Sequence, residues 1–231
     1  MRPLEILGET RAPDGTMITL ARHDRELIIL AGGRPLMSSR VHGSEQALAA
    51  FGCRALPREA PRVLIGGLGM GFTLRATLDV LPADAIVVVG ELIPAVVDWN
   101  RGPLGPLADH PLRDRRVQVE VGDVANVLRS RPGSFDAILL DVDNGPAAFT
   151  ATGNAGLYED HGLATARAAL RTGGTLAVWS AWEDRKFEQR LRYAGFTVKV
   201  ERVRARLTEG GPWHTIFIGT LSHGAARFAA D

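Results

Sequence analysis

The sequence has very little cysteine. Cys53 is the one cysteine among 231 residues, so a disulfide within the chain is excluded and a reducing compartment is favoured. The six histidines stand singly, without the close spacing of zinc ligands. These features predict a cytoplasmic protein without a metal site.

The sequence also lacks an apolar run long enough to span a membrane, the basic-then-apolar start of a signal peptide, and internal repeats. The net charge of +1 gives no basic surface for nucleic acid. With 45% apolar residues among 231, we expect a soluble protein of one large domain or one domain with a small appendage, with no nucleic-acid or membrane partner.

A cluster of glycines is the most informative feature of the sequence. It follows the apolar run 63–65 and comprises Gly66, Gly67, Gly69 and Gly71. An amphipathic segment, 72–81, and a second apolar run, 86–89, come next, and an acid, Glu91, follows them. This order of strand, glycine turn, helix, strand and acid is typical of a nucleotide-binding half of a doubly wound sheet.

The chemistry of this unit follows from its residue types. Glycine permits the sharp turn and the close approach of a ligand to the backbone, and the next helix begins with unpaired N–H groups. Glu91 comes 20 residues after Gly71, where a carboxylate accepts both hydroxyls of a ribose. The alternative is a tight turn that only packs helix on strand, with a capping acid nearby.

The rest of the chain predicts an α/β fold. Residues 1–40 read as short antiparallel strands, and 44–51 as a helix with Ser44 as a plausible N-cap. Seven further strands alternate with helices until a final hairpin, and they are predicted at 63–65, 86–89, 117–121, 135–140, 175–179, 197–203 and 215–220. We predict a seven-stranded, mostly parallel, doubly wound sheet of the class I AdoMet methyltransferase type, with a small N-terminal antiparallel sheet.

The predicted domain limits follow from these elements. Residues 1–56 form the small sheet and one helix, 57–222 the AdoMet-type domain, and 223–231 a tail. Residues 142–158 read as a long loop, which is unusual in a compact domain and suggests a functional role in closing over the site. The N-terminal strands could pair between subunits, so a homodimer is plausible.

Several motifs, in order, resemble the spermidine synthase group within this fold. The segments that carry the resemblance are MSSRVHGSEQALA (37–49), VLIGGLGMGFTLR (63–75), GELIPAVVDWN (90–100), VGDVANVL (121–128) and FDAILLDVDNGP (135–146). The resemblance implies AdoMet or decarboxylated AdoMet as co-substrate and a small amine as acceptor.

The resemblance also implies roles for individual residues. Glu91 would hold the ribose hydroxyls and Asp123 the adenine amino group, with Val124 beside the ring; alternatively Asp123 only caps the next helix. Asp141 would position or deprotonate the attacking amine, or be only a turn acid. The residues implied for the donor loop are Gly67, Gly69, Met70 and Gly71, and those implied for the acceptor are His42, Glu45, Asp143, Asn144 and Tyr158.

Three departures from the family pattern concern the amine end of the site. Met70 stands where the family has an aspartate that resembles a counter-ion for the aminopropyl amine. The second acid of the catalytic motif is replaced by Asn144 in register, with Asp143 one position earlier, and the family's tyrosine near His42 is missing.

Four functions remain open from the sequence. Aminopropyl transfer follows from the resemblance, and methyl transfer, including transfer to a non-polyamine acceptor, follows from Met70. A nicotinamide-dependent oxidoreductase shares the glycine turn and Glu91 but leaves Asp123 and the final hairpin unexplained. The fourth is a nucleoside-binding protein without catalytic activity.

Overall fold

The structure is a computed structural model that describes residues 4–142, 155–206 and 210–222. Within these ranges the chain first forms a four-stranded antiparallel sheet in the order β1-β2-β3-β4. Its strands are β1 (Glu5–Arg11), β2 (Met17–His23), β3 (Glu26–Ala31) and β4 (Arg34–Ser38). The prediction of a small N-terminal antiparallel sheet is confirmed.

The second sheet has seven strands in the order β10-β11-β9-β8-β5-β6-β7. Its strands are β5 (Arg62–Gly66), β6 (Ile86–Glu91), β7 (Val117–Val121), β8 (Phe135–Leu140), β9 (Leu170–Ser180), β10 (Thr197–Arg204) and β11 (Trp213–Thr220). The strands β5 to β9 pair in parallel, whereas β11 pairs antiparallel with both β9 and β10. The predicted fold class, including the reversed final hairpin, is confirmed.

Helices cover the large sheet. They are α1 (Gly43–Gly52), α2 (Phe72–Val80), α3 (Pro94–Arg101), α4 (Val124–Ser130), α5 (Ala155–Tyr158), α6 (Asp160–Ala169) and α7 (Arg185–Tyr193). Short 3₁₀ turns at Gly105–Ala108 and Pro111–Arg113 follow α3.

The two faces of the large sheet pack into separate apolar clusters. Within β5, Val63 and Ile65 belong to one cluster and Leu64 to the other, and residues 137–140 of β8 alternate in the same way. Successive side chains of a strand point to opposite faces, so an uninterrupted apolar run marks a strand covered on both sides. The central strands therefore form a rigid base for the loops at their carboxyl ends.

The N-terminal sheet shares one of these clusters. Leu20 and Ile29 of the small sheet lie in the same apolar cluster as Leu48 of α1 and Val63 of β5. A Cβ on Gly52, at the end of α1, would lie 2.0 Å from Leu139 Cδ2 of β8, so α1 lies directly on the large sheet. The division of the chain at residue 56 stays a prediction.

The structure corrects three local expectations. His42 rather than Ser44 occupies the N-cap position of α1, with no side-chain capping bond. The strand predicted at 175–179 is longer: β9 begins at Leu170, so Gly173 and Gly174 lie inside it. Gly173 takes a φ of 79° there. The last residues of the predicted loop 142–158 form α5, while its residues 143–154 and the predicted tail lie outside the described residues.

Candidate active site

The glycine turn is fixed to the ends of its two neighbouring strands. Gly67 N–H donates to the Gly90 carbonyl at 2.8 Å, and Asp141 N–H donates to the Gly66 carbonyl at 2.9 Å. Gly67 has a φ of 89°, and a Cβ there would lie 2.4 Å from the Asp141 carbonyl oxygen. Both observations require glycine at this position, and they hold the start of the turn against Asp141.

Asn100 of α3 holds the other half of the turn. Its Nδ2 donates to the carbonyls of Gly69 at 2.8 Å and of Val96 at 2.9 Å. Gly71 has a φ of 83°, and a Cβ there would lie 2.9 Å from Asn100 Oδ1. No role was predicted for Asn100 from the sequence, although a polar side chain in the largely apolar segment after Glu91 could have indicated one.

Glu91 faces the glycine turn, as the nucleotide-binding pattern requires. Its Oε2 accepts from Leu68 N–H at 2.9 Å and its Oε1 accepts from Ile93 N–H at 2.8 Å. The residue is buried. Two backbone N–H groups, one in the turn and one after the strand, therefore orient this carboxylate beside the glycine turn.

Asp123 caps α4. Its Oδ1 accepts from Ala125 N–H at 2.8 Å, which is the alternative role that the sequence offered for this residue. One oxygen is sufficient for the cap, so Oδ2 is available for an amino group of a ligand. The neighbouring Val124 side chain is buried and lies on Gly66 and Gly90, about 3 Å from where a Cβ on either glycine would stand.

Two methionines lie at the glycine turn. The Met70 side chain is completely buried in an apolar cluster, so no solvent-sized space adjoins it. Met37 of β4 lies over the turn, with its Sδ 2.7 Å from where a Cβ on Gly69 would stand. Met37 was not among the predicted site residues, because nothing in its local sequence links it to Gly69.

Asp141 lies at the carboxyl end of β8 and its side chain is held by α2. Thr73 Oγ1 donates to Asp141 Oδ2 at 2.5 Å. Burial raises the pKa of Asp141 to about 6, although the hydrogen bond from Thr73 acts to lower it. This environment differs from that of a solvated turn acid, and it makes Asp141 a candidate functional carboxyl.

Glu45 of α1 is the second acidic side chain of this region. The residue is buried, with 8% of its surface exposed. Burial, together with the charge of Asp141, raises the pKa of Glu45 to about 7. Two carboxyls that interact in this way titrate as a pair, and both pKa values are raised toward neutrality. We call Glu45 and Asp141 the carboxyl pair.

The remaining predicted acceptor residues lie around this region or outside the described chain. His42 stacks on Phe72, with ring centroids 4.3 Å apart and an interplanar angle of 17°, and burial lowers its pKa. Tyr158 is buried and its hydroxyl donates to the Val142 carbonyl at 3.3 Å. Asp143 and Asn144 lie outside the described residues.

The described ranges contain neither a candidate metal-binding cluster nor a candidate membrane-spanning helix. Residues 4–142, 155–206 and 210–222 contain no group of three His, Cys, Asp or Glu side chains placed to hold a metal ion. Among the helices formed by the same residues, none has the length and apolar character needed to cross a membrane.

The fold is shared with solved spermidine synthases. One, in complex with the transition state analogue AdoDATO, is 17% identical over 95% of this chain and 73% of its own, with a TM-score of 0.74. The spermidine synthase from Thermotoga maritima gives 17% identity, the same coverage and a TM-score of 0.75. A probable spermidine synthase from Corynebacterium glutamicum gives 19% identity over 95% of this chain and 81% of its own, with a TM-score of 0.62.

The sequence comparisons gave no match. No protein-family model matches the chain, and no curated protein matches it significantly. The spermidine synthase-like fold that the sequence motifs predicted is thus confirmed by structure, over nearly the whole chain.

Proposed function

We propose that this protein is a spermidine-synthase-like transferase that moves an alkyl group from AdoMet or decarboxylated AdoMet to a small amine. The donor binds across the carboxyl ends of β5, β6 and β7, and the acceptor nitrogen approaches the carboxyl pair. The observation that carries this proposal is the placement of two interacting carboxyls, the buried Glu45 and the half-buried Asp141, beside a glycine turn that Glu91 and Asn100 hold in place.

The donor half of the proposal is supported by the hydrogen-bonding groups around the turn. Glu91 lies against the glycine turn, which supports a role in holding the ribose, and Asp123 uses Oδ1 for its cap, which is compatible with a second bond to an adenine amino group. The helix α2 begins at Gly71 without a side-chain cap, so its first N–H groups are available to a polar ligand. A spermidine synthase of this fold binds the analogue AdoDATO, which supports an adenosyl donor here.

The carboxyl pair supplies what the acceptor needs. A donor of this class presents a carbon bound to a sulfonium sulfur, from which a neutral thioether leaves. An amine attacks such a carbon only after losing its proton, since its lone pair must be free. Because the pKa values of both carboxyls are raised, an ionised carboxylate of the pair attracts the protonated amine and is basic enough to accept its proton near neutral pH.

Met70 gives the glycine turn no acidic group at this position for a cationic donor side chain. In the position where the resemblance implies an aspartate, the fully buried Met70 side chain offers no hydrogen bond to an aminopropyl ammonium, and a charge-assisted bond of this kind contributes about 1.5–3 kcal/mol. Methyl transfer from AdoMet, including transfer to a non-polyamine acceptor, is therefore the second candidate function. The two candidates differ in the donor and share the carboxyl pair.

Ligand-dependent thermal stability tests the donor class. The purified protein is heated with AdoMet, decarboxylated AdoMet, 5′-methylthioadenosine or NAD, each in turn. A ligand at about one hundred times its Kd adds about 2.7 kcal/mol of stability, which is several degrees for a chain of this size. We expect shifts with the adenosyl sulfur compounds. Stabilisation by NAD alone would contradict the proposal, and the larger shift of the two donors separates aminopropyl from methyl transfer.

Turnover distinguishes an enzyme from a binding protein. The preferred donor is incubated with a panel of diamines and monoamines, and the nucleoside product is measured for wild type, Asp141→Asn and Glu45→Gln. We expect both variants to lose most turnover while retaining 5′-methylthioadenosine binding. Asp98→Asn, an exposed acid on α3, is the control. Donor binding by a wild type that turns over no amine would indicate the non-catalytic alternative.

A cytoplasmic location and a homodimer stay predictions. Size-exclusion chromatography with light scattering measures the second directly.

A further inference from the structure

A histidine from the last strand is hydrogen-bonded to the helix that carries Glu45. His214 Nδ1 of β11 lies 2.9 Å from Ser44 Oγ of α1. Ser44 Oγ in turn donates to Glu45 Oε2 at 2.7 Å. Ser44 is completely buried, so this hydroxyl has no competing hydrogen bond with bulk water. A continuous hydrogen-bonded chain therefore leads from the final hairpin to the carboxyl pair.

The direction of the hydrogen bonds follows from the donor inventory. A serine hydroxyl has one hydrogen and two lone pairs. When Glu45 is ionised it accepts the Ser44 hydrogen, so the Ser44 oxygen accepts from His214 and the imidazole carries its hydrogen on Nδ1. A charged acceptor strengthens such a bond, and the second bond polarises the first.

Among the described residues, the neighbours of His214 named here are uncharged. Trp179 of β9 packs edge-on against His214, with ring centroids 4.7 Å apart, and Val203 is opposite His214 on β10. Burial lowers the pKa of His214, which keeps the ring neutral at physiological pH. Arg202 and Arg204 of β10 stack on Trp213 instead.

The charged group that acts on Glu45 is Asp141, whose own side chain is bonded by Thr73 of α2. His42, at the N-cap of α1, stacks on Phe72. The hydrogen bonds from His214 through Ser44 therefore end on the Glu45 carboxylate. They oppose the electrostatic repulsion that Asp141 exerts on this carboxylate.

We propose that His214 is a positioning residue for the proposed active site: through Ser44 it fixes the Glu45 carboxyl in its place beside Asp141. An apolar side chain at position 44 would remove a partner from both His214 and Glu45, whereas one at position 214 would leave the Ser44 oxygen without this donor while its bond to Glu45 remains. The assignment of a use to this pair rests on the proposed function, whereas the link itself does not.

The first test uses the unaltered protein. Long-range ¹H–¹⁵N correlation spectra at pH 8, with His214 assigned by comparison with His214→Phe or by sequential assignment, report which ring nitrogen carries the hydrogen. We expect the Nδ1–H tautomer for His214. An Nε2–H tautomer would overturn the proposal, because Ser44 could not then accept from this ring while donating to Glu45.

The second test measures the carboxyl pair in variants. The ¹³C carboxyl resonances of Glu45 and Asp141 are followed between pH 4 and pH 9 in wild type, Ser44→Ala, His214→Phe and His214→Asn. Losing the bond that stabilises the ionised form moves the midpoint upward, by about one pH unit in Ser44→Ala and by less in His214→Phe. The amide of His214→Asn replaces the Nδ1 donor, and we expect it to restore the wild-type midpoint.

The control is His161→Gln, an exposed position on α6, which should leave the titration unchanged. An unchanged midpoint in His214→Phe, or an equal displacement in His214→Phe and His214→Asn, would overturn the proposal. Binding of 5′-methylthioadenosine is measured in parallel. If the wild-type protein does not bind 5′-methylthioadenosine, the proposed function is refuted while the tautomer result still stands. The two failures are therefore distinguishable.

Discussion

Replacing Glu45 by glutamine should stabilise the protein at alkaline pH. Burial first, and then the charge of Asp141, raises the pKa of Glu45 from 4.5 to about 7. Between these two values the folded protein holds a proton that the unfolded chain has released. The free energy of unfolding therefore falls as the pH rises through this window, and above it the full cost of ionising Glu45 is present.

The magnitude follows from the same shift. One pKa unit corresponds to about 1.4 kcal/mol, so a shift from 4.5 to about 7 means that the ionisation of Glu45 costs the folded state at most about 3.5 kcal/mol. Part of this cost is repulsion shared with Asp141, and we expect Glu45→Gln to gain about 2 kcal/mol at pH 8 and nothing at pH 4. For a chain of this length, the gain at pH 8 raises the Tm by about 4–8 °C.

Urea unfolding at pH 4, 6 and 8 measures this difference. The control is Glu59→Gln, since Glu59 is exposed and neutralising it should change stability equally little at every pH. A Glu45→Gln variant with the wild-type free energy of unfolding at pH 8 would refute the argument that Glu45 and Asp141 form a buried, mutually destabilising pair.

Two further predictions concern the glycine turn and the α4 cap. Gly67→Ala should cost at least about 2 kcal/mol of unfolding free energy, because its φ is positive and its Cβ meets the Asp141 carbonyl; Gly133→Ala, with a positive φ in open space, should cost about 1 kcal/mol, and equal costs would contradict the clash. Asp123→Ala and Asp184→Ala each remove an N-cap and should each cost about 1 kcal/mol, but calorimetry should show about tenfold weaker 5′-methylthioadenosine binding in Asp123→Ala alone.

Local sequence patterns were sufficient to predict the sheet. The apolar runs of β5 and β8 are covered on both faces, and the hairpin of β10 and β11 reverses the last strand. Both features depend on residues close together in the chain. The position of Gly173 inside β9 could not be predicted in this way, since a glycine pair stops a strand or bulges it with the same local sequence.

The candidate site was predictable in its donor half and much less so in its acceptor half. Glu91 is fixed by bonds to Leu68 and Ile93 within the same strand–turn–helix–strand unit, and such units carry a recognisable spacing. The resemblance named Glu45 as an acceptor residue, but its interaction with Asp141 depends on how α1 lies on the large sheet. Met37 and His214 reach the site from two different sheets, and no local pattern marks either of them.

The acceptor end of the site is therefore built by packing between distant segments, and this bears on how specificity arises in the fold. The glycine turn is held by backbone bonds and by Asn100, so its geometry tolerates little change. Glu45 and Met37 come instead from the N-terminal part of the chain, which meets the large sheet through apolar contacts. Apolar packing tolerates substitutions of similar volume. Under the proposed function, changes in β4 and α1 would alter the acceptor without disturbing the donor, and a chain with Met70 in its glycine turn would keep an adenosyl donor while accepting a different nucleophile.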